Sequence, residues 1–267
     1  MRINNNVAAF NAYRNTTASS NGLSKTLEKL SSGFRINRAA DDAAGLVISQ
    51  NLRAQISGLR TATRNVQDGI SVVQTAEGAL NEVHSMLTRM RELAVQAANT
   101  GTMDNDAVAA ADSEVTALVD EIDHISAETT FGSINLLDGS YSGVFQVSQA
   151  SGDTVTVTVT TLDASTLGVD ALTLTGTVSA ISAIDSAITA VSTARGDLGA
   201  MQNRFESMVN NLQVGVENLT ASESRIRDAD MALEMVSFTK SQILLQAGTA
   251  MMAQANNVPQ SVLRLMQ

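Results

Sequence analysis

From Leu198 onward, apolar residues return every seven positions: Leu198, Phe205, Leu212, Leu219, Ile226 and Leu233, with Lys240 and Ala247 continuing the phase. A second row, Met201, Met208, Gly215, Ser222, Ala229, Val236, Ile243 and Ala250, lies three residues after the first, which is the a/d spacing of a coiled-coil seam. The pattern predicts one helix from about Leu198 to Ala250. Such a helix extends roughly 80 Å at ~1.5 Å per residue, whereas a compact globule of this chain length is about 45–50 Å across. The spacing therefore predicts a rod, and a rod buries less of its own apolar surface than a sphere does. Something else must cover the remainder.

The first half has its own seam: Ile56, Leu59, Thr63, Val66, Ile70 and Val73, then Leu80, Leu87 and Ala94, flanked by Val83, Met90 and Ala97. Its apolar stripe drifts midway, as a straight helix drifts against a seven-residue template, so it is expected to pack without tight supercoiling. The run NTGTMDND ends this helix, and a third begins behind Asp112 or Ser113 as a cap. In the middle of the chain, alternation around Val144 to Val147 and Val155 to Val159, joined by Ser-Gly-Asp, reads as a β-hairpin. A further short strand is expected near Leu172 to Leu174, and helical spacing returns from Ser179. The predicted fold is mainly α: an elongated antiparallel helical rod, a coiled-coil-like bundle, with a small β-hairpin region in mid-chain. Two helical halves around a β centre also bring both chain ends to the same end of the molecule.

Composition supports helix seams over a globular core. Hydrophobic residues make up 44% of the 267 but aromatics only 3%, and Pro259 is the single proline, so almost nothing breaks a helix. A net charge of -10 and a pI near 4.6 repel a phosphate backbone or an anionic membrane, so neither nucleic acid nor membrane is an expected partner. The N-terminus lacks the apolar core of a Sec signal peptide. The apolar tail from Ser241 is broken by Gln242, Gln246, Gln254, Asn256, Asn257 and Pro259, too often for a bilayer span.

No motif points to an active site, a metal or a cofactor, so the chain is not expected to be an enzyme. His84 and His124 are its only histidines, cysteine is absent, and no Gly-rich phosphate loop occurs; both histidines read as surface or seam residues. MDNDAV begins like a calcium loop but lacks the required Gly and Glu. ARGD at Ala194 to Asp197 contains an integrin-binding tripeptide, or marks a polar step near a helix start with Asp197 placed for the helix dipole. Asp41 and Asp42 in NRAADDAAG read as a helix start or turn with Arg35 and Arg38 as counter-charges, or as part of an intersubunit ion-pair site.

The strings LSSGFRINRAADDAAGLVIS, RNVQDGISVVQTAEGALNEV, RMRELAVQAAN and INLLDG, with SRIRDADMALEM through QANNVPQSVLRLM, closely resemble bacterial flagellin. Only residues 140 to 180 separate the helical halves, so the chain resembles a minimal form lacking the outer domains of larger flagellins. The resemblance implies an inner terminal helical domain of residues 1–42 with 235–267 and a rod domain of residues 43–234. Within the rod domain it places long helices at 43–98, 106–128 and 180–234 and the β region at 130–178. It implies a structural subunit that polymerises into the filament for swimming motility, secreted to the extracellular flagellum. A hook–filament junction protein is the alternative, and a self-contained coiled-coil adaptor would leave the apolar tail unexplained.

The implied partners are other copies of the chain, an export chaperone, the type III export apparatus, and hook-associated and cap proteins. The tail is expected to pack on the chain's own N-terminal segment and on neighbouring copies, with Ile243, Leu244, Met251, Val258, Val262 and Leu265 carrying polymerisation contacts. Small residues such as Ala247, Gly248, Ala250, Ala253 and Ala255 permit close helix approach. Residues 1 to 40 are rich in small and polar positions, so they are expected to fold only on assembly, which suits export unfolded. TRMRELAVQAAN also resembles the patch through which Toll-like receptor 5 senses many flagellins. Residue by residue this assigns Arg89, Leu93 and Glu114 to receptor binding, with Arg89 off the seam and Leu93 at its border.

Overall fold

The computed structural model describes residues 5–99, 101, 103–174 and 177–265, with side chains at 177, 178 and beyond Val258 left undescribed. In chain order the elements are α1 (Val7–Ser32), α2 (Ala43–Ala97), α3 (Asn105–Glu128), β1 (Thr130–Phe131), β2 (Ile134–Asn135), β3 (Ser142–Gln146), β4 (Thr154–Thr158), α4 (Ala164–Leu167), α5 (Thr177–Arg227) and α6 (Met231–Leu265). The protein is mainly α, and its chain divides into two compact units, Ile56–Glu217 and Met1–Gln55 with Asn218–Gln267.

The unit Ile56–Glu217 holds the hydrophobic core. The seam of α2 is buried as its spacing predicts: Val66, Val73, Leu80, Val83, Leu87, Met90 and Ala94 are fully covered. They meet Val115 and Ile122 of α3, Leu136 and Leu137, and Ile184, Val191, Leu198 and Phe205 of α5. Ion pairs Arg91–Asp185 at 2.6 Å and Glu77–Arg195 at 3.7 Å run antiparallel along α2 and α5. The mid-chain hairpin forms with Phe145 opposite Val155 and Val144 opposite Thr156. Phe145 stacks edge-on against Phe205 with ring centroids 5.8 Å apart.

Local chemistry in this unit departs from expectation at three places. The N-cap of α3 is Asp104, whose carboxylate accepts the Ala107 amide at 2.8 Å, not Asp112 or Ser113. Asp112, well inside the helix, instead accepts the Leu174 amide at 2.9 Å, which pins Leu172 to Leu174 without strand pairing. The expected strand there does not form. The ARGD step sits inside α5 rather than near its start, with Arg195 paired to Glu77. The short helix α4, capped by Asp163 at one end and Gly168 at the other, and the two-residue strands β1 and β2 carry too few residues for a periodicity to be read.

In the second unit α1 and α6 lie antiparallel. Asn6 Nδ2 donates to the Ala255 carbonyl at 2.9 Å at one end, and Lys29 pairs with Glu234 at 3.2 Å near the other. The long helix expected from Leu198 to Ala250 is broken here. The chain leaves α5 after Arg227 and re-enters helix at Met231, with Asp230 as the new cap, accepting the Ala232 and Leu233 amides at 2.9 and 3.2 Å.

The return leg of the chain stabilises that break. Gly33 takes the left-handed conformation (φ 73°) that ends α1 and donates to Lys29 O at 2.8 Å, a position costly for any residue with a Cβ. Arg35 N then donates to Arg227 O at 2.7 Å and Ala229 N to Gly33 O at 2.9 Å, pairing the two connections like a short antiparallel ladder. The guanidinium groups of Arg227 and Arg53 lie over the Phe34 ring, 4.6 and 5.2 Å from its centroid, and Arg53 pairs with the nearly covered Glu223 at 2.7 Å.

Candidate functional site

The facing surfaces of α1 and α6 mix small and polar residues with larger apolar ones. The partly covered positions of α6 are Glu234, Phe238, Ser241, Leu245, Gly248, Met252 and Ala255, spaced alternately by four and three; on α1 they include Ala9, Ala12, Thr16, Ser19, Leu23, Thr26 and Leu30. Both rows are coiled-coil seams. They differ from the row expected in α6: Leu233, Val236, Lys240, Ile243, Ala247 and Ala250 all face outward. Beyond the break at Asp228–Asp230, the row expected to continue from Leu198 and Phe205 points away from α1. Close approach of the pair is possible because residue 248 is glycine: a Cβ there would lie 2.6 Å from Thr16 Oγ1.

Large apolar side chains are therefore left on the outside. Ile243 is 59% exposed and Met251 63%, and Leu244 and Val258 extend the row Leu244, Met251, Val258 at intervals of seven. Val7, Phe10 and Tyr13 are likewise exposed on α1. No residue of α1 is fully buried. A shallow groove of about 500 Å³ on α6 is lined by Met235, Val236, Thr239, Lys240, Ile243 and Leu244, with one cation and no acid. Of the six tail residues predicted to carry contacts between copies, Ile243, Leu244, Met251 and Val258 are exposed; the side chains of Val262 and Leu265 lie outside the described residues. An apolar face of this length is a binding surface or a liability in water.

The connection Gly33–Ala43 fixes where α2 starts. Asp42 caps it, accepting the Gly45 amide at 2.9 Å, so that aspartate marks a helix start. Asp41 accepts the amides of Arg38 at 3.1 Å and Asn37 at 3.3 Å; the Arg38 bond above all holds its carboxyl below the usual carboxylate range. Arg38 pairs with Glu28 at 2.7 Å and Arg35 bonds the Ile226 carbonyl, so neither guanidinium is the counter-charge expected for Asp41 and Asp42.

The second predicted group is split by the fold. Arg89 on α2 and Glu114 on α3 meet at 2.8 Å, both about half exposed, and Glu92 adds a second partner at 3.2 Å. The Glu114 hydrogen bond is the main reason that the Arg89 guanidinium is held still more firmly in its charged form. Leu93 is only 3% exposed and belongs to the core with Met90 and Ala94, not to its border. Counted from Met90, the drifting stripe of α2 widens here to take in Leu93 as well as Ala94.

Residues 3–142 match the family described as the bacterial flagellin N-terminal helical region, and residues 181–266 match the bacterial flagellin C-terminal helical region. The chain belongs to the bacterial flagellin family. It is 52% identical over 273 aligned positions to the flagellin of Halalkalibacterium halodurans and 46% identical over 304 to that of Bacillus subtilis, each alignment covering all of both chains. It is 42% identical to the flagellar filament 33 kDa core protein of Treponema phagedenis, again over the full length of both.

Among solved structures, Bacillus cereus flagellin superposes with a TM-score of 0.51 at 34% identity, over 56% of this chain and 88% of that one. A putative flagellar hook-associated protein of Vibrio parahaemolyticus shares the fold at 16% identity, with a TM-score of 0.59 over 70% of this chain and all of that one. Full-length matches to relatives of nearly equal length agree with a minimal flagellin without outer domains.

What sequence reading missed in this flagellin is the Phe34–Arg53–Arg227–Glu223 cluster, whose members lie far apart in the chain. The inward row of α6 does not read as a seam in the sequence, although Gly248 and Ala255 are among the small residues expected to permit close approach; Ala247, Ala250 and Ala253 of that set face outward. A signal for the break did exist: Asp228-Ala229-Asp230 places two cap-forming residues inside an otherwise helical run.

Proposed function

We propose that this flagellin is the structural subunit of a bacterial flagellar filament, polymerising through the outward face of α6 and the exposed residues of α1. One observation carries the reading: large apolar side chains remain on the outside of the α1–α6 pair, with Leu233 66%, Val236 67%, Ile243 59% and Met251 63% exposed, although the pair already has an apolar seam of its own in Phe238, Leu245 and Met252. A single chain has no use for that arrangement. Neighbouring copies that bring the same face supply the missing cover, at about 25 cal/mol per Å² of apolar surface removed from water.

The functional division is an inner terminal domain of residues 1–42 with 235–267 and a rod domain of residues 43–234; its support is the pair of connections at Gly33–Ala43 and Arg227–Met231, where helices stop on both legs. The inner segments order fully only on assembly, and the chain travels to the extracellular flagellum through a type III export apparatus with a chaperone over the apolar tail. Hook-associated and cap proteins meet the filament's ends. Among the described residues no helix is long and apolar enough to cross a membrane. For released monomer, recognition by Toll-like receptor 5 centres on Arg89 and Glu114, supported by their joint exposure, with Leu93 acting from beneath as packing.

Seeded growth tests the main reading. Purified full-length chain extends filament seeds, whereas a chain ending at Lys240 keeps its helical Ile56–Glu217 unit and does not extend them. Normal growth of the shortened chain refutes the role given to α6. Failure of the full-length chain to extend seeds favours the hook–filament junction alternative.

A further inference from the structure

The chain has no cysteine, so its eleven methionines are its only sulfur side chains. Their burial is uneven. Met90 is fully covered in the core, and Met86, Met103, Met201, Met208 and Met252 are partly covered. Among the described residues the three exposed methionines, Met231, Met235 and Met251, all lie on α6. Met231 and Met235 are four apart and so neighbours along the helix. Met235 walls the apolar groove beside Val236 and Ile243, and Met251 stands in the outward row between Leu244 and Val258.

We propose that Met231, Met235 and Met251 form a peroxide-responsive modification site, at which oxidation to the sulfoxide disables the outward face of α6 for assembly. The inference rests on the filament-subunit reading above. The chemistry needs only a peroxide. A sulfur lone pair attacks one peroxide oxygen, the O–O bond breaks as the S–O bond forms, and the departing hydroxide or alkoxide takes up a proton. Sulfur loses two electrons and the peroxide gains them, and the proton taken up comes from the oxygen transferred to sulfur; a methionine sulfoxide reductase supplied with a dithiol reverses the step, the two thiols becoming a disulfide and the oxygen leaving as water.

Selectivity follows from exposure, since oxidant reaches the α6 sulfurs in water but not Met90 beneath the α2 seam. The consequence follows from burial. A thioether that fits an apolar contact becomes a strongly polar group, which must either keep its water or be buried without a partner. The unit Ile56–Glu217 holds none of the three and stays folded. Once copies cover the face, the same sulfurs are shielded, so assembled material resists the reagent that disables free chain.

The test is graded hydrogen peroxide treatment of the full-length chain, with peptide mapping of each methionine and seeded growth compared with the same protein untreated. The expected result is sulfoxide at Met231, Met235 and Met251 ahead of Met90, growth at least tenfold slower than untreated, and recovery on incubation with the reductase. In the variant Met231→Leu, Met235→Leu, Met251→Leu, the treated-to-untreated ratio stays near one. Oxidised chain that grows as fast as untreated chain overturns the inference, as does a reductase-treated chain whose growth is not restored. If the untreated chain itself fails to extend seeds, the filament-subunit reading has failed instead, and the two failures are told apart by that control.

Discussion

Replacing Gly248 by alanine tests the close packing of the α1–α6 pair, because two opposing effects of similar size meet at that position. Alanine in a helix interior is about 1 kcal/mol more favourable than glycine. Here its Cβ would lie 2.6 Å from Thr16 Oγ1, an oxygen that itself donates to the Ala12 carbonyl at 2.8 Å. Either Thr16 rotates and gives up that bond, or the helices separate, and overpacking of this kind costs about 1–3 kcal/mol. Gly248→Ala alone is therefore neutral to about 2 kcal/mol destabilising. With Thr16→Ala in place the oxygen is gone, and the remaining neighbours at 3.5 and 3.7 Å are in ordinary contact. Gly248→Ala should then stabilise by about 1 kcal/mol, and the cycle gives a coupling of about 1–3 kcal/mol. Native-state hydrogen exchange of the α1 and α6 amides in the assembled filament, where the pair is fully ordered, reads the opening free energies directly. The same effect of Gly248→Ala in both backgrounds, in sign and size, would refute the packing.

Two further substitutions separate core from surface. Leu93→Ala, at a buried position, should destabilise by about 2–5 kcal/mol, whereas Arg89→Ala, which breaks only half-exposed ion pairs, should leave the unfolding temperature nearly unchanged; thermal unfolding distinguishes them, and equal shifts would contradict the placement of Leu93. Arg53→Ala strips the nearly covered Glu223 of its ion-pair partner and Phe34 of one stacked cation, so it should cost about 1–3 kcal/mol. That loss should appear as faster exchange at the amides of Arg35 and Ala229, and unchanged exchange there would show that the cluster does not hold the two connections together.

Much of this architecture is legible in the residues. Val66, Val73, Leu80, Val83, Leu87, Met90, Ala94 and Ala97 of α2 are buried as the apolar period predicts, because they are covered within the same chain, whereas Val72, Ala76 and Leu93 are buried beside that seam and are not part of its predicted row. Leu198 and Phe205 likewise report the core they enter. Beyond Asp230 the continued heptad of Leu233, Val236, Ile243 and Ala250 faces outward rather than toward α1, and Ile243 in it is one of the residues expected to meet other copies. Hydropathy marks whichever face is eventually covered, and here the strongest apolar row, with Val236 and Ile243, is the one that the chain's own fold leaves open. The row that meets α1 alternates large apolar Phe238, Leu245 and Met252 with small Ser241, Gly248 and Ala255, so hydropathy alone does not single it out. Asp104 and Asp112 show a second limit. Both are suitable caps by residue type, and only the tertiary fold, which brings the Leu174 amide to Asp112, decides between them.

The central claim is that the outward face of α6 is covered by other copies of the chain and by nothing within it. Solvent-accessibility labelling of Leu233, Val236, Ile243 and Leu244, followed by mass spectrometry on free chain and on assembled filament, addresses it most directly. The account predicts heavy labelling of all four in the free chain and, in the filament, labelling that falls to the level of the core residues Val83 and Leu87. Persistent labelling of these four side chains in intact filaments would contradict it.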